Sequence, residues 1–312
     1  TGVTLRNLTF DGINVAGFIP VQGNGVVTGL QILGNTFTNV PGETAVFLAG
    51  NVSGVTISGN TFSNIGTAGA LLHSAIRVNS AATNLTITNN NISNIDNGGI
   101  QLDGVNGATI SGNTINTVGG AGIQIADALV PGTTGNITIA NNTITDANVA
   151  NAVDGGGIRL RETASFIGTG VTISNNIVTG SRTGIAFRNA QAPNFNNVRL
   201  NFNNLSGNTT AGICTEVPPG TGVLVATGNF WGMGGPTDAR NLGGAGSAIT
   251  GTNRTLTAFS PWLTSGADDN PAPGLQITTA RTFFVAPNAG QNVCLAANNC
   301  ICLLYTSPSP RD

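Results

Sequence analysis

Short bursts of alternating apolar and polar residues recur along most of this chain. One of them, Val55-Thr56-Ile57-Ser58-Gly59-Asn60-Thr61-Phe62-Ser63-Asn64-Ile65, serves as the template for the others. Copies begin at Val3, Leu30, Val55, Leu85, Ala108, Ile137, Val171, Val198 and Val223, nine units in eight steps of 23 to 34 residues with a mean of 27.5. Self-similarity at such a period predicts a stack of equivalent structural units. Two residues after each start stand Leu5, Ile32, Ile57, Ile87, Ile110, Ile139, Ile173, Leu200 and Val225. Seven after each start stand Phe10, Phe37, Phe62, Ile92, Ile115, Ile144, Val178, Leu205 and Phe230. Apolar residues at the start and two beyond it, with Thr or Ser between, alternate with period two, which predicts a strand.

Between those two columns runs a third. Asn35, Asn60, Asn90, Asn113, Asn142, Asn176 and Asn203 hold the fifth position after seven successive starts, with Asn7 and Asn229 one residue out of step at the two ends. Asn tolerates left-handed backbone angles and bonds nearby backbone groups, so this structural column is expected to mark a bend. A second strand follows in most units, at Ala45–Leu48, Ala75–Val78, Gly99–Leu102, Gly122–Ile125, Gly157–Leu160 and Gly184–Phe187. Coils of two or three short strands, each stacked in parallel on its counterpart about 4.8 Å away, predict an all-β, single-stranded parallel β-helix. Nine coils would make a rod on the order of 40 Å long.

The V-T-I-S-x-N-x-I unit paired with G-I-x-L resembles the repeat of right-handed parallel β-helix proteins, the pectate-lyase-like superfamily, over about Val3 to Gly232. The resemblance implies the fold and a bacterial secreted or surface protein, but no one activity, because that superfamily includes lyases, hydrolases, epimerases, phage tailspikes and non-catalytic surface proteins. Gly228-Asn229-Phe230-Trp231-Gly232, Gly235-Pro236 and Phe259-Ser260-Pro261-Trp262-Leu263 resemble the closing segment of many bacterial β-helix surface proteins. Trp231 and Trp262 are the structural residues expected to cover the last coil.

Composition agrees with a strand-and-turn solenoid: 8% charged and 5% aromatic residues, and 45 glycines in 312. There is no lysine, and a net charge of −2 with scattered arginines gives no basic patch for nucleic acid. No apolar run reaches the roughly 20 residues of a membrane-spanning helix. The lone His73 and the absence of a Cys/His cluster argue against a metal site.

The chain reads as 1–232 coils, 233–263 a C-terminal cap, 264–274 a linker and 275–301 the truncated start of a further domain of the same superfamily. No N-terminal cap is visible, so the reading is of a fragment. In the last part Cys294 and Cys300 bracket a loop that an oxidising compartment would close as a disulfide, whereas Cys214 reads as a small buried residue. Residues 302–312 break every earlier pattern and resemble the translation of a transposase-type sequencing adapter, which would make them non-native.

Residues flanking the buried ones on the second strand point outward, and stacking places them in two ladders. One runs Phe47, Arg77, Gln101, Gln124, Arg159, Ala186; its neighbour runs Ala49, Asn79, Asp103, Ala126, Arg161, Arg188, with Asp127 and Glu162 one residue beyond. Rows of amides, carboxylates and guanidinium forks suit sugar hydroxyls and uronate carboxylates, so Arg77, Asn79, Gln101, Asp103, Gln124, Arg159 and Arg161 are the ligand-binding candidates. The same rows are also what any soluble solenoid shows to water. Asp103, Asp127, Arg159, Arg161, Glu162 and Arg188 are the catalytic candidates, as a glycosidase carboxylate pair or as the base and cations of a lyase. Ca²⁺ enters only with a lyase; otherwise no cofactor is called for. The motifs of the superfamily's polygalacturonases and mannuronan epimerases are missing, which favours a non-catalytic rod that binds polysaccharide. On the first strand Thr56/Ser58, Thr86/Thr88, Thr109/Ser111, Thr138/Ala140 and Thr172/Ser174 form a hydroxyl grid between Gln31 and Arg199, of the kind some β-helices use on ice. The plainer account is that Thr is favoured on the outer face of any strand.

Overall fold

The computed structural model describes residues 2–13, 17–66, 73–126, 134–147, 155–161, 167–188, 194–216, 218–241, 243–276, 281–284 and 304–305. It is a right-handed solenoid of short parallel strands whose only helical pieces among these residues are two single turns, Phe195–Asn197 and Arg254–Leu256. The first strands stack with like residues in register: Ile32 on Ile57, Ile57 on Ile87, then Ile110, Ile139, Ile173 and Leu200. The second strands do the same through Ile76, Ile100, Ile123, Ile158, Ile185 and Ile213. Every one of these side chains is buried. Each withdraws enough apolar surface from water to contribute about 2 kcal/mol, before conformational entropy is set against it.

A middle strand completes the coil and forms a sheet of its own, seven strands from Thr9–Asp11 through Thr36–Val40, Thr61–Ile65, Asn91–Ile95, Thr114–Val118 and Thr143–Ala147 to Ile177–Thr179. About seven coils therefore have all three strands. The units beginning at Val198 and Val223 continue the larger sheet but add only isolated bridges, at Asn204 and Phe230, to the middle layer. Phe10, Phe37 and Phe62 stack face to face at 4.9 and 4.8 Å, the strand spacing itself, before aliphatic residues take over the column.

The chain turns at three left-handed residues per coil. Before the first strand stand Gly54, Asn84, Gly107 and Asn136; after it Gly59, Asn89, Gly112 and Asn141; at the next-to-last residue of the middle strand Asn64, Asn94, Thr117 and Asp146, all with φ between 51° and 84°. Gly and Asn hold most of these places because a β-carbon is penalised there, and Asn offsets that with local hydrogen bonds. The expected bend column is thereby displaced by one residue. Asn60 and its counterparts are not the left-handed residues; they follow them and point inward, fully buried. Asn7 is then in step after all, as a bend residue at φ 56°, and Leu8 takes the column position.

Buried amides survive here because they satisfy one another. Asn60 donates from its backbone N and its Nδ2 to Oδ1 of Asn90, at 3.0 Å each, and from Nδ2 to the carbonyl of Ile32 at 2.8 Å. The same pattern passes through Asn113, Asn142, Asn176 and Asn203 to Asn229, which joins the ladder although the sequence sets it one residue late. Each rung fixes the next coil's register, since a slip of one residue would orphan two donors in the core.

The last coil is covered. Trp231, Phe259, Trp262 and Leu263 are buried, and the Arg240 guanidinium lies 4.8 Å from the Phe259 ring centre while donating to Asp238. Residues 264–274, expected as a linker, and Leu275, expected to begin a further domain, lie along the outside of the solenoid. The Asn204 side chain donates to the Gly266 carbonyl, Gly274 N donates to Thr143 Oγ1 at 2.9 Å, and Leu275 N donates to the Asn175 carbonyl at 2.7 Å. Leu275 is buried there. Of the stretch expected to open a further domain, Arg281–Phe284 pairs antiparallel with Trp262–Leu263, and the Phe284 ring packs at a tilt of 32° against Trp262 with centres 4.8 Å apart. Leu304–Tyr305, within the segment read as adapter, pairs with Arg281–Thr282. Cys294 and Cys300 lie outside the described residues.

Candidate functional site

Both outward ladders of the second strand exist residue for residue. Parallel pairing sets Phe47 against Arg77, then Gln101, Gln124, Arg159 and Ala186, and sets Ala49 against Asn79, then Asp103, Ala126, Arg161 and Arg188. The structure extends them at both ends. Gln22 and Asn24 precede, Cys214 and Glu216 follow.

The side chains on these rungs hold each other. Arg77 Nε donates to Asn79 Oδ1 at 3.1 Å, and its guanidinium sits 5.9 Å from the Phe47 ring centre. Burial lowers the Arg77 pKa from its ordinary value, and the Asp103 charge opposes that shift. Arg159 Nη1 donates to Gln124 Oε1 at 3.3 Å. Arg188 pairs with Glu216 on the next coil. Arg161 is the most exposed of the arginines on these two ladders, and Phe47, Gln101 and Asp103 are half-buried.

The two columns do not stay open along the whole rod. In the first, every position from Gln22 to Arg159 reaches the surface, and then Ala186 and Cys214 are 0% and 2% exposed. Gly156 closes over Ala186 so tightly that a β-carbon on it would stand 3.2 Å from the Ala186 Cβ. In the second column Ala126 is buried, and the Thr134 hydroxyl donates to its carbonyl from the returning loop.

Asp127 and Glu162 lie outside the described residues. The outward carboxylates of the second ladder within them are Asp103 and Glu216, four coils apart, about 19 Å at the ordinary strand spacing. A glycosidase pair works at about 5 to 10 Å. Among the described residues no three His, Cys, Asp or Glu side chains come together to hold a metal, and no helix is long and apolar enough to cross a membrane.

The hydroxyl grid of the first strand is in register from Gln31 through Thr56, Thr86, Thr109, Thr138 and Thr172 to Arg199. Its hydroxyls bond to one another, as Thr88 to Ser58 at 3.0 Å. The middle strand shows a comparable grid that the sequence reading missed, Thr36/Thr38, Thr61/Ser63, Asn91/Ser93, Thr114/Asn116 and Thr143/Thr145. The signal was available: these residues flank the Phe62 column with period two.

Three solved structures are similar in part. The periplasmic alginate epimerase AlgG is 14% identical with a TM-score of 0.44, over 77% of this chain and 49% of that one. A point mutant of the same epimerase is 15% identical with a TM-score of 0.41, over 62% and 46%. QnrB1, a plasmid-mediated fluoroquinolone resistance protein, is 11% identical with a TM-score of 0.18, over 80% and 94%. The chain thus spans about half the length of the AlgG structures it matches. No curated protein sequence matches the chain. The family model for the right-handed beta helix region matches residues 1–205. With two thirds of its length matched and its parallel coils in register, the chain belongs to the right-handed β-helix family.

Proposed function

We propose that this chain is a non-catalytic, carbohydrate-binding rod of an extracellular bacterial protein, secreted or held at the cell surface, and that the outward ladders of the second strand are its binding face. The observation that supports this is the segregation of side chains among the three faces. The first and middle strands present mainly hydroxyls and neutral amides, whereas the second strand aligns Arg77, Asn79, Gln101, Asp103, Gln124, Arg159 and Arg161 with an aromatic at Phe47. Guanidinium forks, amides and a ring on one rigid surface are the groups that recognise sugars, and a surface fixed by stacked strands loses little entropy on binding.

The test is a glycan array probed with the full chain, followed by titration of any hit. Gln101→Ala combined with Arg77→Ala is expected to weaken binding at least tenfold, while Thr109→Ala on the first strand leaves it unchanged. Retention of full affinity by the double variant would sink the assignment of the face. Release of reducing ends or of unsaturated uronates from a bound polysaccharide would sink its non-catalytic character.

A further inference from the structure

Contacts in a stacked solenoid run between neighbouring coils, so its end coils can fray one at a time. The segment that follows the cap does not keep to neighbours. Leaving the last coil at Leu263, whose N–H donates to the Asn229 carbonyl at 3.0 Å, the chain runs back past the coils that begin at Val198, Val171 and Ile137. It meets the first at Gly266, whose carbonyl accepts from the Asn204 side chain at 3.3 Å, and the second at Leu275, whose N–H donates to the Asn175 carbonyl at 2.7 Å. It meets the third at Gly274, whose N–H donates to Thr143 Oγ1 across 131 residues of sequence. On the way back the Phe283 ring packs edge-on against Phe202 at 6.4 Å. The two limbs of this arm are tied at its base, where the Thr264 N–H and hydroxyl both donate to the Thr282 carbonyl at 3.0 and 3.1 Å.

These contacts fall where the solenoid is short of a layer. The middle sheet ends at Ile177–Thr179, and the coils beginning at Val198 and Val223 add to it only the bridges at Asn204 and Phe230. The arm lies on those same two residues: a β-carbon on Gly266 would run into the Phe230 ring and stand 2.8 Å from Asn204 Nδ2. Its far end is fitted as closely. Gly274 has φ 97°, and a β-carbon there would strike the Asn141 backbone and stand 2.7 Å from the Asn175 carbonyl oxygen, so only glycine enters, and Leu275 beside it is buried. Thr143, which receives the Gly274 N–H, opens a complete middle strand paired on both sides. We propose that the arm, residues 264–276 with 281–284, is a strap. It takes the place of the two absent middle strands and fastens the incomplete coils to a complete one, so that the last four coils open together instead of fraying from the cap.

Native-state hydrogen exchange on the full chain tests this. The amides of Leu205, Phe230 and Leu263 report the incomplete coils and the cap, that of Ile177 the coil before them, and those of Thr61 and Asn91 the distant coils. In the unaltered chain the first four are expected to show protection within about threefold of one another and to converge as urea is added. Gly274→Ala forces the tip of the strap off its seat; it is expected to lower protection at Leu205, Phe230 and Leu263 at least tenfold and at Thr61 and Asn91 less than about twofold. Thr143→Val removes only the acceptor for the Gly274 N–H and should act in the same direction by about threefold, which keeps the test alive if Gly274→Ala does not fold. Ala272→Ser, in the exposed stretch between the anchors, should change nothing. Loss of protection confined to Gly274 and Leu275 in either docking variant would show the arm to be attached without fastening anything, and would overturn the proposal. So would exchange at Leu263 more than about tenfold faster than at Ile177 in the unaltered chain, because the last coils would then fray singly.

Discussion

At the N-terminal end of the solenoid, Thr4–Arg6, Thr9–Asp11 and Val21–Thr28 each pair with one parallel neighbour among the described residues, and Val3, Leu8, Ile13 and Val26 are exposed. At the other end Trp231, Phe259, Trp262 and Leu263 are buried and Phe284 is laid over Trp262. The interior columns run to both ends, although in the last unit Leu224 and Ala226, one residue later than the expected Val223 and Val225, are the buried pair, Val225 lying beside outward Arg199; what differs more is whether any described residue covers them. In a stack whose stability is a sum over neighbouring coils, a terminal coil keeps one interface of two. The C-terminal coil regains the second through its cap, so the two ends are expected to respond very differently to the same kind of substitution.

The largest contrast is in the aromatic residues. Trp231→Ala removes a fully buried indole and is expected to cost about 3 to 5 kcal/mol, read as a shift of the urea midpoint. Phe10→Ala removes a half-buried ring with one stacking partner and is expected to cost about 1 kcal/mol. Equal losses would mean that the N-terminal coil is covered after all.

The asparagine ladder gives the same comparison with polar groups. Asn229→Ala orphans the backbone N of Asn203 and removes the Nδ2 donor to the carbonyls of Leu200 and Ala226, while Asn203 Nδ2 keeps the Ile173 and Asn201 carbonyls; the residues that lose a partner are buried, and the change is expected to cost about 3 kcal/mol. Asn35→Ala orphans the Leu8 N–H, which water can reach, along with the Leu5 carbonyl and one lone pair of Asn60; about 1 to 2 kcal/mol is expected. Hydrogen exchange at Asn203 and Leu8 would show which loss is local.

Acid separates the ends as well. Burial pushes the Asp238 carboxyl up, but hydrogen bonds and charge from Arg240, with Arg254 behind it, outweigh that and hold its pKa below the usual carboxylate range. A depressed folded pKa contributes stability that is complete above the ordinary value of about 4 and disappears as pH falls through the lower folded value. Asp238→Asn is expected to lower the thermal midpoint at pH 6 by an amount equivalent to about 1 to 2 kcal/mol, solvent screening included, and to flatten its fall between about pH 4 and 2. An unchanged acid slope would remove Asp238 from the account.

How much of this was legible beforehand follows from what a repeat encodes. Period two says which side chains point outward and the long period says which ones stack, so Gln101 over Arg77 and Ile57 over Ile32 were readable. The left-handed turn was placed one residue late because Asn suits both a bend and a buried ladder, and only coordinates separate Gly59 from Asn60. Coverage was not legible. Nothing in the pattern around Ala186 says that Gly156 will fold over it, and nothing in Thr264–Gly274 says that Leu275 will come to rest beside Asn175. Returning segments obey no internal period.

The smallest effect tests the open end most directly. Val26 is 75% exposed on the Val21–Thr28 edge strand, whose ladder partner among the described residues is Val46–Ser53. Such an edge is a template for pairing with another chain, and proteins usually guard it with lysine. This chain has none; its terminal coil carries Arg6 and Asp11 instead. Val26→Lys should leave stability within about 0.5 kcal/mol, because the side chain stands out in solvent. It should also reduce concentration-dependent association in sedimentation velocity, because a charge must be desolvated for a second edge to approach. A clear loss of stability would show Val26 to be packed and the edge occupied. Unchanged association with unchanged stability would show that Val26 does not govern how one chain meets another.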